Sequence, residues 1–277
     1  MSGFVPAFAR NRGAVVGLVI LLLVGALAAA APLLFPFSPW DMQGAPFAPP
    51  GEEGFLLGSD SLGRDVAADI AYGAWVSLLI GAVSTAAALV AGVVLGAIAG
   101  YAGGWVDDVV MRFTELFQTV PSFVLAVVLV AIFTPSLHSI VAAIALVSWP
   151  PVTRVVRAEF LTLRTREFVQ AAEVLGRSRT AILLREILPN ALSPIIVLAS
   201  LMVASAILLE SALSFLGLGD PNLMSWGFMI GAGRSVIRLA WWMSVFPGLA
   251  IFLTVLALNL VGEGLNDALN PRLARRR

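Results

Sequence analysis

The sequence predicts an all-α polytopic membrane protein with about six transmembrane helices. Of its 277 residues, 59% are hydrophobic and 12% charged, and mean hydropathy is +0.95. No water-soluble globular class has those values. Apolar runs recur that approach or exceed the ~20 residues a spanning helix needs. One long stretch of mixed charge, residues 165–190, stands between such runs. The same composition excludes several functions. A formal net charge of zero argues against nucleic-acid binding. All 17 basic residues are arginine, so the chain has no lysine for a phosphate-binding Walker loop. With no Cys and one His, the common zinc sites are excluded as well.

The first apolar run covers residues 14–35, behind Arg10 and Arg12. Its alanine tract at 28–31 is like a signal-peptidase site. The run is longer than the roughly 7–15 residues of a signal sequence, so it reads as a retained helix. Residues 37–73 form a polar, acidic interval punctuated by Pro and Gly, with an amphipathic interfacial helix expected over 61–72. The second span, 74–99, carries Gly81, Gly92 and Gly96, small residues that let helices approach closely in lipid. A third helix begins at Trp105 with polar first turns, kinks at Pro121 and runs to Phe133. The fourth span, 140–156, is expected to break at Pro150-Pro151. The fifth covers 191–215 and the sixth 241–261, with a loop, 216–240, between them.

Arginine asymmetry orients these spans. If the N-terminus is inside, all but three of the 17 arginines (Arg64, Arg234 and Arg238) fall inside, among them Arg272, Arg275, Arg276 and Arg277. The positive-inside rule then puts both termini and the 165–190 stretch in the cytoplasm.

That stretch reads as two short helices joined at a glycine. Phe168, Ala171, Ala172 and Leu175 share one face, with Glu167, Gln170 and Glu173 off it. Gly176 takes the left-handed position that ends a helix, Ser178 caps the next one, and Pro189 marks a break in direction. A short amphipathic helix held outside the membrane suits insertion into another protein's groove; the plainer alternative is a helix lying on the lipid surface.

This stretch resembles the EAA loop of ABC-importer permeases, whose pattern is E-A-A-x3-G-x9-I-x-L-P. Ala171, Ala172, Gly176, Leu188 and Pro189 match it, Gln170 replaces the Glu, and Glu186 falls on the Ile position. LGSDSLGRDV (57–66), GYAGGWVDDVVMRFTELFQTVPS (100–122), ESALSFLGLG (210–219), SWG (225–227) and FPGLAIFLTVLALNLVGEGLNDALNPR (246–272) narrow the resemblance to C-type permeases of the dipeptide/oligopeptide family, the binding-protein-dependent inner-membrane components. The resemblance implies a type I importer fold and organises the chain accordingly. Residues 1–36 are a cytoplasmic tail and first helix, and 37–73 the extracytoplasmic loop with its interfacial helix. Residues 74–265 form the transmembrane core, with a coupling loop at 160–190, and 266–277 a cytoplasmic tail. It assigns ATPase coupling to Glu167, Gln170, Ala171, Ala172, Gly176 and Pro189. It implies two ATPase subunits, a B-type partner permease, an extracytoplasmic solute-binding protein and no cofactor, in a bacterial or archaeal inner membrane. The cargo that it implies is di- or oligopeptides; nickel chelates, glutathione and opines are alternatives within the family. A non-transport scaffold or channel is the competing class.

Two further features concern chemistry. Glu210 is the one carboxylate deep in an apolar run, at a cost of roughly 2.5–3.5 kcal/mol on insertion scales. It either borders the solute path or makes an interhelical hydrogen bond. Gly217-Leu218-Gly219-Asp220 reads G-x-G-D, a motif of intramembrane aspartyl proteases. Such an enzyme needs a second membrane-embedded Asp, and the sequence offers none, so a turn leaving a helix is expected. His138 reads as exposed at a turn, Trp241 and Trp242 as interface anchors, and Asn259 as a helix-packing residue.

Overall fold

The computed structural model describes residues 4–269, and among them only helices and connecting loops occur, apart from one isolated bridge between Ser59 and Asp65. Arg272, Arg275, Arg276 and Arg277 lie outside the described residues; of the tail expected over 266–277, residues 266–269 still belong to the last helix and the rest lies outside the described residues. A short helix α1 (Phe4–Arg10) precedes α2 (Arg12–Leu34), the first long apolar helix. Between them Asn11 caps α2 by accepting from the Ala14 N–H, and its amide donates to Asp267 near the other end of the chain at 3.0 Å.

The next helix, α3, runs over Val66–Ala102. No separate interfacial helix forms over 61–72. Residues 61–65 are loop, and Asp65 caps α3 directly by accepting from the Ala67 N–H at 2.8 Å. With that cap and no proline after it, the helix continues unbroken for 37 residues, about 55 Å, well beyond the ~30 Å hydrocarbon thickness.

The third span is broken, not kinked: α4 (Gly104–Gln118) and α5 (Ser122–Phe133) meet at 79°. Pro121 disfavours helical geometry in the residue before it, and the Thr119 hydroxyl donates to the Leu116 carbonyl as α4 ends. By contrast α6 (Leu137–Leu163) passes straight through Pro150-Pro151, where a break was expected. Proline removes helix hydrogen bonds, but here tertiary packing offsets the loss. Gly92, Gly96 and Gly100 of α3 form a stripe against which α6 lies. A Cβ at Gly92 would fall 2.4 Å from Val152 Cβ, one at Gly96 2.6 Å from the Thr153 carbonyl, and one at Gly100 2.7 Å from the Arg157 carbonyl.

After α6 come α7 (Glu167–Val174) and α8 (Arg179–Ile182). A π turn at Leu183–Ile187 leads into α9 (Leu188–Leu213), and a second, Ser214–Leu218, ends it. Pro189 therefore does not redirect the chain; Arg179–Leu218 is one run of 40 residues. Pro189 lies in the first turn of α9, directly after the π turn, where the regular α-type bonding that it would interrupt is already released. Among the described residues five helices are long and apolar enough to cross a membrane, or six when the bent α4–α5 pair is counted as one span.

The interval expected as loop before the last span contains α10 (Trp226–Gly233), and α11 (Trp242–Leu269) closes the bundle. Residues 37–65 are folded too. Asp60 accepts from Arg64 Nε at 2.6 Å, and the Arg64 guanidinium lies 5.1 Å from the Trp40 ring centre. Trp242 is a core residue, not an interface anchor: it is buried and its ring N–H donates to the Ser59 carbonyl at 2.9 Å. Trp241 beside it stays about half exposed.

Candidate functional site

The segment expected to couple to a partner is built on one eight-residue helix, α7. Glu167 in its first turn complements the helix dipole. Val169 and Ala172 are buried against Phe160 of α6, Ile182 of α8, Ile187 of the first π turn and Ala191 of α9. Glu167, Gln170 and Ala171 are exposed, and so are Phe168 (38%), Val174 (88%) and Leu175 (78%).

The expected single apolar face is thus two stripes. Phe168, Ala171 and Leu175 point away from the chain, while Ala172 turns inward and is not part of the outer surface. Helical spacing places apolar residues at 168, 171 and 175 and again at 169 and 172, and periodicity alone cannot say which stripe the rest of the fold covers. Val169, missed in the sequence, is the inward anchor.

Gly176 does what its position demands. Its φ is +73°, the left-handed region. The Gly176 N–H donates to the Glu173 carbonyl at 2.9 Å and the Arg177 N–H to the Ala172 carbonyl at 3.1 Å. That pair of bonds is a Schellman motif. Nothing lies within 4 Å of where a Cβ would stand, so the demand for glycine is conformational, not steric. Ser178 accepts from the Ala181 N–H and starts α8 as expected. Arg177 pairs with Glu186 across the turn, and the Asn190 amide donates to the Glu186 carbonyl at 2.6 Å. The residue on the motif's Ile position therefore staples the turn to the start of α9. Gln170 donates to the Thr165 carbonyl at 3.3 Å. Pro189 is exposed in α9, apart from the α7 residues. Arg164, just before α7, donates to the Gly100 and Tyr101 carbonyls at the end of α3. Arg164 thus ties the end of α6, just before α7, to the end of α3.

Glu210 is 1% exposed. Its Oε1 accepts from the Ser214 and Ser225 hydroxyls, both at 2.7 Å. Ser225 is the residue that caps α10, accepting from the Phe228 N–H at 3.1 Å. Of the two readings for Glu210, the geometry is that of an interhelical tie. The G-x-G-D segment is a turn, with Gly217 at φ +85°. Asp220 accepts from the Leu137 N–H at the start of α6 and from the Asn222 N–H. It is a capping group. His138 is exposed, as expected. Asn259 is exposed on α11 and its amide donates to the Val255 carbonyl of its own helix at 2.8 Å, not to another helix. Among the described residues no cluster of three or more His, Asp or Glu could hold a metal ion. Sequence reasoning missed a bidentate ion pair, Arg157 to Asp107 at 2.5 and 2.6 Å, and the bond from Arg154 to Gln118 at 3.0 Å. Both pairings depend on α4 folding back beside α6.

The described residues form a bundle of five to six candidate spans, with the short exposed helix α7 between α6 and α9. Residues 92–275 match the model of the binding-protein-dependent transport system inner membrane component family, and residues 4–50 that of the N-terminal TM domain of oligopeptide transport permease C. The chain belongs to the binding-protein-dependent transport system inner-membrane components. It is 41% identical to the di/tripeptide transport system permease protein DppC of Pseudomonas aeruginosa, over 99% of this chain and 92% of that one. It is 39% identical to the oligopeptide transport system permease protein OppC of Escherichia coli K12, over 96% and 89%. A solved structure of the MetNI methionine ABC transporter in an inward-facing conformation shares the fold, with a TM-score of 0.61 and 16% identity, covering 73% of this chain and 96% of that one.

Proposed function

We propose that this chain is the permease subunit of an ATP-driven importer of di- and oligopeptides. The observation that carries the substrate class is near-full-length likeness to relatives named for di/tripeptide, dipeptide and oligopeptide transport. In this reading a B-type permease completes the pathway, two cytoplasmic ATPases bind beneath, and an extracytoplasmic solute-binding protein delivers peptide. Both termini and α7 are cytoplasmic, as the arginine distribution favours. ATP is bound by the partner subunits; the absence of lysine from the sequence supports that division of labour.

The mechanism follows from the seat of α7. ATP binding closes the ATPase pair, and the outward surface of Phe168, Ala171 and Leu175, docked in an ATPase groove, moves with it. Val169 and Ala172, packed on α6, α8 and α9, transmit the shift to the spans. The Gly176 turn and the Arg177–Glu186 pair keep α7 from hinging independently of α9. Access to the pathway then alternates between the two sides. The test is uptake of labelled dialanine by cells with and without this subunit, the rest of the system intact. Loss of uptake on deletion and its return on complementation is the expected result. Unchanged dipeptide uptake, with lost uptake of a nickel chelate or glutathione, would refute the peptide assignment while keeping the transporter.

A further inference from the structure

Helix α5 has 12 residues and is about 18 Å long, much less than the ~30 Å of hydrocarbon it has to help cross. Its far end is the short turn into α6. Taken with α4 as one broken span, α5 ends short of the far face, so the break between α4 and α5 lies within the bilayer on the side nearer the α7 end. Residues 118–122 are all exposed on this chain. Non-helical backbone at that depth occurs only where protein covers it or where it lines water. A second observation falls at the same place. Arg154 projects from spanning helix α6, is exposed, and donates to Gln118 Oε1 at the break. An arginine on a spanning helix avoids lipid and faces an aqueous cavity or a partner group. The contrast with Arg157, three residues on, is informative. Arg157 has both arms of its guanidinium matched by the Asp107 carboxylate. Arg154 has a neutral partner only, so its charge is uncompensated among the described residues and most of its donors remain free. The rings of Phe113 and Phe117 pack on Trp149, at 5.7 and 5.1 Å between centres, and brace the break from the α6 side.

We infer that the α4–α5 break, with Arg154 and Gln118, is a water-lined station on the solute path that takes a carboxylate, the free C-terminus of a peptide. The inference rests on the peptide-importer reading above. A guanidinium fork matches a carboxylate in bidentate fashion, and the Gln118 amide can add a donor. Every free peptide carries that group whatever its side chains, so such a station grips peptides without choosing among their sequences.

Two measurements on the assembled transporter test it. The chain has no cysteine, so Val120→Cys, at the break, and Leu23→Cys, on the exposed face of α2, are unique labels within it. A charged, membrane-impermeant thiol reagent, read on this chain by mass, should modify position 120 and spare position 23. Dialanine should slow the reaction at 120 more than dialanine amide does. Position 120 unreactive in every nucleotide state overturns the station and points to cover by a partner subunit. In the uptake assay Arg154→Gln should lower dialanine uptake about tenfold and leave dialanine amide uptake unchanged, with Arg154→Lys restoring part of the loss. An equal fall for both peptides overturns the carboxylate role. So does an equal dependence of both on vesicle phosphatidylglycerol, which would mean that Arg154 holds a lipid phosphate. If the wild-type transporter carries neither peptide, the peptide reading fails separately. Labelling at 120 that soluble acetate slows then sustains the station, and its absence removes it.

Discussion

The two ends of the bundle are built on opposite terms. At the end that holds residues 37–65 and α10, several polar and aromatic groups are turned inward and hydrogen-bonded. Trp226 is 1% exposed and donates to the Ile70 carbonyl, Trp242 donates to Ser59, and Glu210 gathers two serine hydroxyls. At the α7 end the inward contacts are small and apolar, Val169 and Ala172, and the large apolar side chains Phe168, Val174 and Leu175 face out. One end is tied closed by bonds within the chain, with Met42, Leu56 and Leu239 still exposed on its surface; the other presents the α7 stripe outward. Substitutions at the first should therefore be read in stability and those at the second in coupling.

The largest expected effect is at the closed end. Trp226→Ala removes a fully buried ring and its hydrogen bond, and a loss of about 3–5 kcal/mol is expected. It should appear as a lowered unfolding temperature of detergent-solubilised protein; an unshifted midpoint would mean that α10 is not locked to α3. Next comes a matched pair on adjacent residues of α7. Ala172→Leu overfills a packed contact and should destabilise the chain by roughly 1–3 kcal/mol. Ala171→Leu, on the exposed stripe, should leave the midpoint within about 0.5 kcal/mol while abolishing co-purification with the ATPase subunits and peptide uptake. Equal behaviour of the two variants would erase the distinction between the stripes. The smallest expected loss of uptake is at the turn, where Gly176→Ala should cost about 1 kcal/mol of local stability. Partial loss of uptake with normal membrane insertion is the expected readout, and full activity would show that the turn tolerates another geometry.

The spans themselves were legible, because an apolar run of about 20 residues leaves backbone chemistry one open solution, the helix. The glycine turn was legible too, since Gly176 and Ser178 carry their meaning locally. What was not legible depended on distant partners. Pro150-Pro151 signals a break until α3 supplies the glycine groove that holds α6 together. Ser225 before an apolar run is a cap signal for α10, but eight residues bounded by glycine read as loop unless Glu210 is known to reach that serine. Both stripes of α7 are apolar, and the choice between them is made by Phe160 and Ile187, residues on other elements.

The suture between α2 and α11 bears on how the protein is made. A Cβ at Gly17 would sit 2.7 Å from the Ala257 carbonyl, Gly264 is pressed against Ala14, and Asn11 reaches Asp267 across 256 positions of chain. Ribosomes add about 5–20 residues per second, so α2 has to wait on the order of tens of seconds in the bilayer before α11 exists to meet it. During that interval its small-residue seam is covered only by lipid, or by whatever insertase or chaperone occupies it. A nascent chain halted before α11 lacks the helix that covers that seam in the finished protein.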